Sequence, residues 1–470
     1  MHRNSLRTFT LLMTLTLFCA TVAQGAGASA PSMADIGGAK TLTIAGESFS
    51  TGMNPAFATE HPEVTVRYQG GEEYTVNQLL LDLTTQQATA DIYSLTVSSG
   101  LLDAVREKGL CENLSASKII MGFTAALTPQ VRGQVADGDV CIGVPYELYS
   151  NQSFGFNTEL GKALNIDAPR TYRELIDLFA ASPENSESIG EDRPAYLSTG
   201  TFSPEGTVSR LLRYGMDAYI AQQPVAETLT FDTEDFRSFM TTLEQARAKL
   251  KLLTDADSSA ANDNSGDTLL HEAEPILRTQ DDAAANPDAT EPLLLAFTDN
   301  GQACIPTELT VLIVNRFSEH KEIALQYLEC LVAHYPAYER ILVCEGERNP
   351  VEAEQYQENR AFYMESRLAL EAQLQAADTE QARQRVREQL AETDACIKEI
   401  ESLRWQIDAG AIRRYSAIAP YLRLMPRVSY SYYFSLPNAR QLLLKFIQGE
   451  MGAEEFVRQF DSVQRMINRE

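Results

Sequence analysis

Apolar and polar positions alternate in short runs over the first third of the chain. Thr41–Ala45 ("TLTIA"), Glu63–Tyr68 ("EVTVRY") and Ala90–Leu95 ("ADIYSL") read as strands. Helical spacing fills the intervals at Asn54–Glu60, Tyr74–Gln87 and Gly100–Lys108. This βαβαβ order predicts a mostly parallel sheet with helices on its faces. Val135–Asn157 ("VADGDVCIGVPYELYSNQSFGFN") then reads as strand, proline-marked crossing, strand and the start of a helix. Thr171 and Glu174 form a capping-box pair, and Leu175, Leu178 and Phe179 stripe the helix that follows. In Pro292–Tyr335 two strand-like runs precede a helix with Ala324, Leu328 and Leu331 on one side. Near the end, Pro437 opens a helix that Gly449 closes, and Phe456, Phe460, Val463 and Ile467 stripe a last one.

Two stretches depart from this rhythm. Thr254–Thr290 is small, acidic and without aromatic residues, which predicts a mobile insertion with a short helix near Thr268–Leu277. Its clustered aspartates lack the spacing of a calcium loop. Glu352–Ile407 is rich in Ala, Glu, Gln, Arg and Leu. Val386, Leu390, Ile397 and Ile400 fall at helical spacing with Thr393 in the same seam, and Asp378-Thr379 interrupts the run. The pattern predicts two antiparallel helices. Charge on the outside and a narrow seam within suit a hairpin that projects from, or braces, the second lobe, with Trp405 anchoring its base.

Charge excludes one class of partner. With 65 acidic and 39 basic residues the formal net charge is −26, so no basic face is available for nucleic acid. The front of the chain sets a compartment. Arg3 and Arg7 precede the apolar run Phe9–Val22, and Ala26-Gly27-Ala28 offers a small-x-small cleavage site. Residues 1–28 therefore read as a secretory signal peptide and the mature protein as extracellular. Cys19 follows Leu17 and Phe18, a poor match to a lipidation site. Six cysteines remain beyond it: Cys111, Cys141, Cys304, Cys330, Cys344 and Cys396. No CxxC spacing marks a zinc or redox motif. Cys330–Cys344 and Cys111–Cys141 are spaced for local disulfides, with buried free thiols as the alternative. There is no GxSxG, HExxH, P-loop or strand-linked GxGxxG. The chain is thus read as a non-enzyme that uses no cofactor.

The order of elements, the phrase Ala90–Ser115 ("ADIYSLTVSSGLLDAVREKGLCENLS"), the crossing in Val135–Asn157 and the P-x-T-[YW]-x-E-L-x-D pattern of Pro169–Asp177 resemble extracellular solute-binding protein family 1. These are the substrate-binding proteins of ABC importers. The form resembled is Firmicute-like, with a C-terminal helical hairpin insertion. The resemblance implies an α/β, two-lobe periplasmic-binding-protein-like fold of type II with a hinge. Lobe 1 would comprise residues 41–148 and 293–345, and lobe 2 residues 149–292 and 408–470, with 352–407 as the hairpin. It implies capture of a small solute, expected to be a carbohydrate or oligosaccharide, by lobe closure in a monomer that docks on ABC permease subunits. Rings would stack on sugar faces and carboxylates or amides would bind hydroxyls. The first-lobe positions implied are Glu47, Ser48, Thr96, Ser98, Ser99, Tyr146, Tyr149, Thr298, Asp299 and Asn300. The second lobe would add Phe202, Tyr430, Tyr432 and Tyr433, with core packing as the alternative for the tyrosines. Trp405, the single tryptophan, falls in the hairpin, a departure that leaves room for a different ligand. The rival reading is an exported scaffold or sensor of the same fold with a degenerate cleft, acting through the hairpin.

Overall fold

The structure, a computed structural model, describes residues 40–46, 54–70, 89–150, 154–181, 204–223, 229–257, 269–273, 292–346, 348–426 and 428–469, with isolated positions in 81–86 and 275–290. The expected signal peptide, most of the expected helix Tyr74–Gln87, and Glu47, Ser48 and Phe202 lie outside them.

The chain opens on a sheet. β1 (Lys40–Gly46) pairs in parallel with β2 (Val64–Gly70) on one side and with β3 (Ile92–Thr96) on the other. Between β1 and β2 runs α1 (Pro55–Glu60). Pro55 starts it and the Asn54 carboxamide accepts from Phe57 N at 3.2 Å, a sound N-cap. After β3 come a 3-10 turn (Val97–Ser99), α2 (Leu101–Glu107), α3 (Lys118–Ala126) and α4 (Pro129–Val135). A small hairpin of β4 (Ala136–Asp137) and β5 (Val140–Cys141) leads into β6 (Val144–Ser150).

The chain then enters a second body. β7 (Phe154–Phe156) is followed by α5 (Thr158–Leu164), α6 (Tyr172–Ala181), α7 (Pro204–Ala221) and α8 (Glu234–Asp257). The capping box forms as its residues dictate: Glu174 N donates to Thr171 Oγ1 at 3.1 Å, and Arg170 N donates to the Glu174 carboxylate at 2.6 Å. β8 (Leu270–Glu272) pairs antiparallel with β7. A strand therefore stands where a short helix was expected in Thr268–Leu277, because β7 offers an open edge. Ile276 and Leu277, four residues further on, are buried in the first core.

β9 (Ile305–Val314) returns to the first sheet and is buried at every position, as a central strand with both faces covered must be. β6 lies antiparallel along one side. On the other side β3 pairs with Thr310–Val314 and, end to end with it, β12 (Leu422–Leu424) pairs with Ile305–Thr307. Helices α9 (Lys321–Ala333) and α10 (Ala337–Val343) follow β9. Next come β10 (Val351–Glu352), α11 (Tyr356–Ala376), α12 (Glu380–Ser402), β11 (Trp405–Ile407) and α13 (Ala409–Ile418). Beyond β12, α14 (Tyr430–Ser435), α15 (Pro437–Gln448) and α16 (Ala453–Ile467) complete the second body.

Two hydrophobic cores define two lobes. Among the described residues the chain passes between them after β6, on either side of Ile276–Leu277, between Cys304 and Ile305, and between Leu424 and Met425. Their membership moves two expected boundaries. Leu293, Leu295, Phe297 and Cys304 belong to the second core, not the first. Ile407, Ala411, Ile412, Tyr415, Ile418 and Leu422 belong to the first, not the second. The physical reason is β9: its N-terminal half needs an edge partner, and β12 with its preceding helix α13 supplies it.

That shift carries the hairpin with it. β10 and β11 form its root, pairing Val351 with Ile407 and Glu352 with Trp405. Ile407 is buried in the first core. The hairpin thus stands on the first lobe rather than the second. Arg404 lies 4.4 Å over the Trp405 ring and pairs with Glu352 at 2.7 Å. The 23 residues of α12 span about 35 Å, and none of them is buried. Ion pairs cross between the helices, Arg367–Asp394 at 2.8 Å and Arg360–Glu401 at 3.2 Å.

All six cysteines are free thiols, so neither expected local disulfide forms. Cys141 donates to Gly143 O at 3.4 Å and Cys330 to Asn54 Oδ1 at 3.5 Å, each inside its own packing environment.

Candidate functional site

β3 and β12 share one side of β9 but do not meet. Their ladders stop at Thr310 and Thr307, and the chain between carries Glu308, a carboxylate buried to 4% exposure. Into this gap turns the segment Val97–Ser99. Ser98, itself 3% exposed, donates its hydroxyl to Glu308. The turn closes locally: Ser99 Oγ donates to Thr96 O at 2.6 Å, and Gly100, at φ +73°, takes the left-handed conformation that lets α2 start at once. Across β9, Tyr149 of β6 stands directly opposite Glu308 in the antiparallel register. Directly opposed residues share a sheet face. Thr96, Ser98, Ser99 and Tyr149 are thus brought to one place, at the end of the first lobe where the chain crosses.

The second lobe meets the same place. α14 packs against the turn Val97–Ser99. Ser429 caps α14, accepting from Tyr432 N at 3.2 Å. Asp217 on α7, only 1% exposed, accepts from Tyr430 N at 2.7 Å. Asp217 thus fixes the start of α14, and Glu308 is the carboxylate that lies beside the turn α14 packs on. Ionised carboxylates are acceptors and suit hydroxyl donors.

The tyrosine run divides by helical phase, since "SYSYYF" folds as helix. Tyr432 is half-buried, whereas Tyr430 (6%) and Tyr433 (0%) turn into the second core. Tyr433 packs on Phe231 and Phe460 at 5.5 and 4.9 Å and donates to Gln464, so its ring has no face open to a ligand. Burial raises its hydroxyl pKa well above the ordinary value.

Other expected positions lie apart. Tyr146 sits at a bulge in β6, where Tyr335 donates to its backbone oxygen at 3.3 Å. Between the two tyrosines of β6 lies Glu147, close to Glu339 on α10. Burial, and then the Glu147 charge, push the Glu339 carboxyl up to about 8; burial raises Glu147 as well. Thr298, Asp299 and Asn300 form a turn of the second lobe, not the first. With Arg173 and Phe239 they line a separate cavity of about 330 Å³, where Asp299 stands 3.9 Å from Arg173.

Sequence reasoning missed Glu308 and Asp217. Glu308 left one signal, a lone charge inside the apolar run "CIPTELTVLIV". Asp217, in "RYGMDAYIA", shows nothing before its helix is placed.

No family model matches the chain, and no curated protein sequence matches it. Solved structures do. A cyclic alpha-maltosyl-1,6-maltose binding protein from Arthrobacter globiformis aligns with a TM-score of 0.52 and 11% identity, covering 92% of this chain and 99% of that one. The GacH receptor of Streptomyces glaucescens, solved unliganded and with acarbose, gives 0.52 and 13% over 92% and 99%. Maltose-bound MalE3 of T. maritima gives 0.52 and 14% over 91% and 100%. None of the described helices is long and apolar enough to cross a membrane. The chain has the two-lobe periplasmic-binding-protein-like fold that these proteins share.

Proposed function

We propose that this protein is the extracellular solute-binding component of an ABC importer and captures a carbohydrate or oligosaccharide by closing its lobes. One observation carries the reading. Two lobes with separate cores meet at chain crossings, and the polar turn Val97–Ser99 beside the buried Glu308 carboxylate of the first lobe is met there by α14 of the second. The proteins of similar fold named above bind cyclic maltosyl-maltose, acarbose and maltose, which supports a saccharide ligand.

In this reading Ser98, Ser99, Thr96 and Glu308 bind hydroxyls from the first lobe. Tyr149 and Tyr432 supply ring faces. Hinge motion at the crossings then encloses the solute, and permease subunits recognise the closed form. Thermal unfolding of the mature chain against malto-oligosaccharides, cyclic glucans and acarbose, with amino acids as controls, tests it. A ligand at 100 times its dissociation constant stabilises by about 2.7 kcal/mol. Stabilisation by a saccharide that Tyr149→Ala weakens about tenfold or more supports the reading. Stabilisation by amino acids alone, or by no solute at millimolar concentration, overturns it.

A further inference from the structure

On the flank of the first lobe, three side chains of different chemistry converge. Cys330 and His334 lie one turn apart on the same face of α9 and its C-cap, and Glu60 is the last residue of α1. One ligand atom from each lies within 4.8 Å of the other two. The Glu60 carboxylate stands 3.7 Å from His334 Nε2, and the Cys330 sulfur 3.7 Å from His334 Nδ1. The carboxylate approaches the ring at Nε2 and the sulfur at Nδ1, so one cation would use one ring nitrogen, and the three ligand atoms within 4.8 Å would draw in to the ~3.4–3.6 Å that oxygen, nitrogen and sulfur ligands keep around one tetrahedral zinc ion.

We propose that Glu60, Cys330 and His334 form a binding site for a borderline-soft divalent cation, Zn(II) foremost, that pins α1 to α9. The inference is independent of the carbohydrate reading. The imidazole is already oriented for it. His334 Nδ1 lies 3.1 Å from the Cys330 carbonyl, and the tautomer that donates there leaves Nε2, on the Glu60 side, as the ligand atom. A backbone carbonyl on the other ring nitrogen is the usual way a metal-ligating histidine is held. The sulfur is held too. Its thiol reaches Asn54 Oδ1 at 3.5 Å, and Asn54 is itself fixed by donating to Tyr327 O at 3.1 Å.

The donor set selects the metal. Thiolate and imidazole together favour zinc-like ions over calcium or magnesium, which take all-oxygen shells. Binding Zn(II) breaks the Cys330 S–H bond and releases its proton to solvent, while the Glu60 carboxylate and the His334 imidazole contribute lone pairs and the ion's fourth position is left for water. Because α1 lies between β1 and β2 in the chain, a cation here also ties this N-terminal part of the first lobe to α9. Phe57 and Tyr327, packed at 5.0 Å, form the apolar floor beneath.

The test is a Co(II) titration of the full mature chain, read by optical absorption. One equivalent should produce the thiolate-to-cobalt charge-transfer band and tetrahedral d–d bands, which Zn(II) then removes by displacement. Ca(II) and Mg(II) should not compete. Cys330→Ser should abolish the band, while Cys396→Ser, at another thiol, leaves it intact. His334→Gln changes a half-exposed side chain, so the fold is retained; it should weaken Co(II) affinity about tenfold or more. Zn(II) should raise the thermal midpoint of the wild-type chain but not of His334→Gln. No thiolate band at stoichiometric metal, or a band that persists in Cys330→Ser, overturns the proposal.

Discussion

Tyr433 separates the two roles its tyrosine-rich segment could serve. Its ring is fully buried against Phe231 and Phe460, and its hydroxyl donates to Gln464, which is 1% exposed. Tyr433→Ala empties a ring-sized volume in the second core, which costs about 3–5 kcal/mol. It also strands the Gln464 amide oxygen, an added penalty of about 1–3 kcal/mol that partial collapse of the cavity will reduce. Tyr433→Phe keeps the ring and removes only the hydroxyl, so it should lose about 1–3 kcal/mol. Neither change touches a face that a solute can reach. The Phe variant should therefore bind saccharide within about twofold of wild type. Tyr432→Ala should do the reverse. Its side chain is half-buried at the edge of α14, so unfolding should change by less than about 1.5 kcal/mol, while saccharide affinity falls by about 1–3 kcal/mol. Urea unfolding without ligand, followed by circular dichroism, and calorimetric titration with the saccharide found by thermal screening measure the two quantities separately. A Tyr433→Ala protein that unfolds like wild type but no longer binds would refute the reasoning, because it would mean the ring is exposed in the working protein.

Two further outcomes follow from the same structure. Glu339 has its carboxyl pKa raised from 4.5 to about 8 by burial and by Glu147, so between those values the folded protein keeps a proton that the unfolded chain has released. Stability from this group is complete below about pH 4.5 and is lost as pH rises through about 8; Glu339→Gln should flatten the fall in thermal midpoint over that window, and a slope identical to wild type would count against the buried pair. Replacing Glu358–Asp394 of the hairpin with a short Gly/Ser turn should leave cooperative unfolding and solute affinity unchanged, since no residue of α12 is buried; lost affinity in a folded variant would mean that the hairpin reaches the cleft.

Local signals survived folding where a single element could satisfy them. The parallel pairing of β1, β2 and β3 was legible from the βαβαβ order of their strand-like runs. The capping box at Thr171–Glu174, the helix from Pro437 to the left-handed Gly449, and the last helix striped by Phe456 and Phe460 were legible from their own residues. The paired helices α11 and α12 were legible from a seam and a break, since their periodicity is set by their packing on each other.

Partnership between distant segments was not legible. Leu293–Phe297 and Ile305–Val314 are both apolar runs, and nothing in their composition says that one feeds the second core and the other the first. The edge requirement of β9 decides it, by drawing β12, α13 and the hairpin root to the first lobe. β8 is a strand because β7 has a free edge, not because of its own residues. Tyr432 and Tyr433 are adjacent identical letters, separated in role only by the rotation of α14 against Phe231 and Phe460. The meeting of Ser98, Tyr149 and Glu308 likewise depends on strand register, and that of Asp217 with the start of α14 on packing inside the second lobe, which join residues far apart in sequence. The chain's own pattern determined its class, most of its local elements and its acidic character. Tertiary structure decided which lobe each segment completes and which polar groups face each other, because those choices minimise exposed edges and unpaired buried groups over the whole chain.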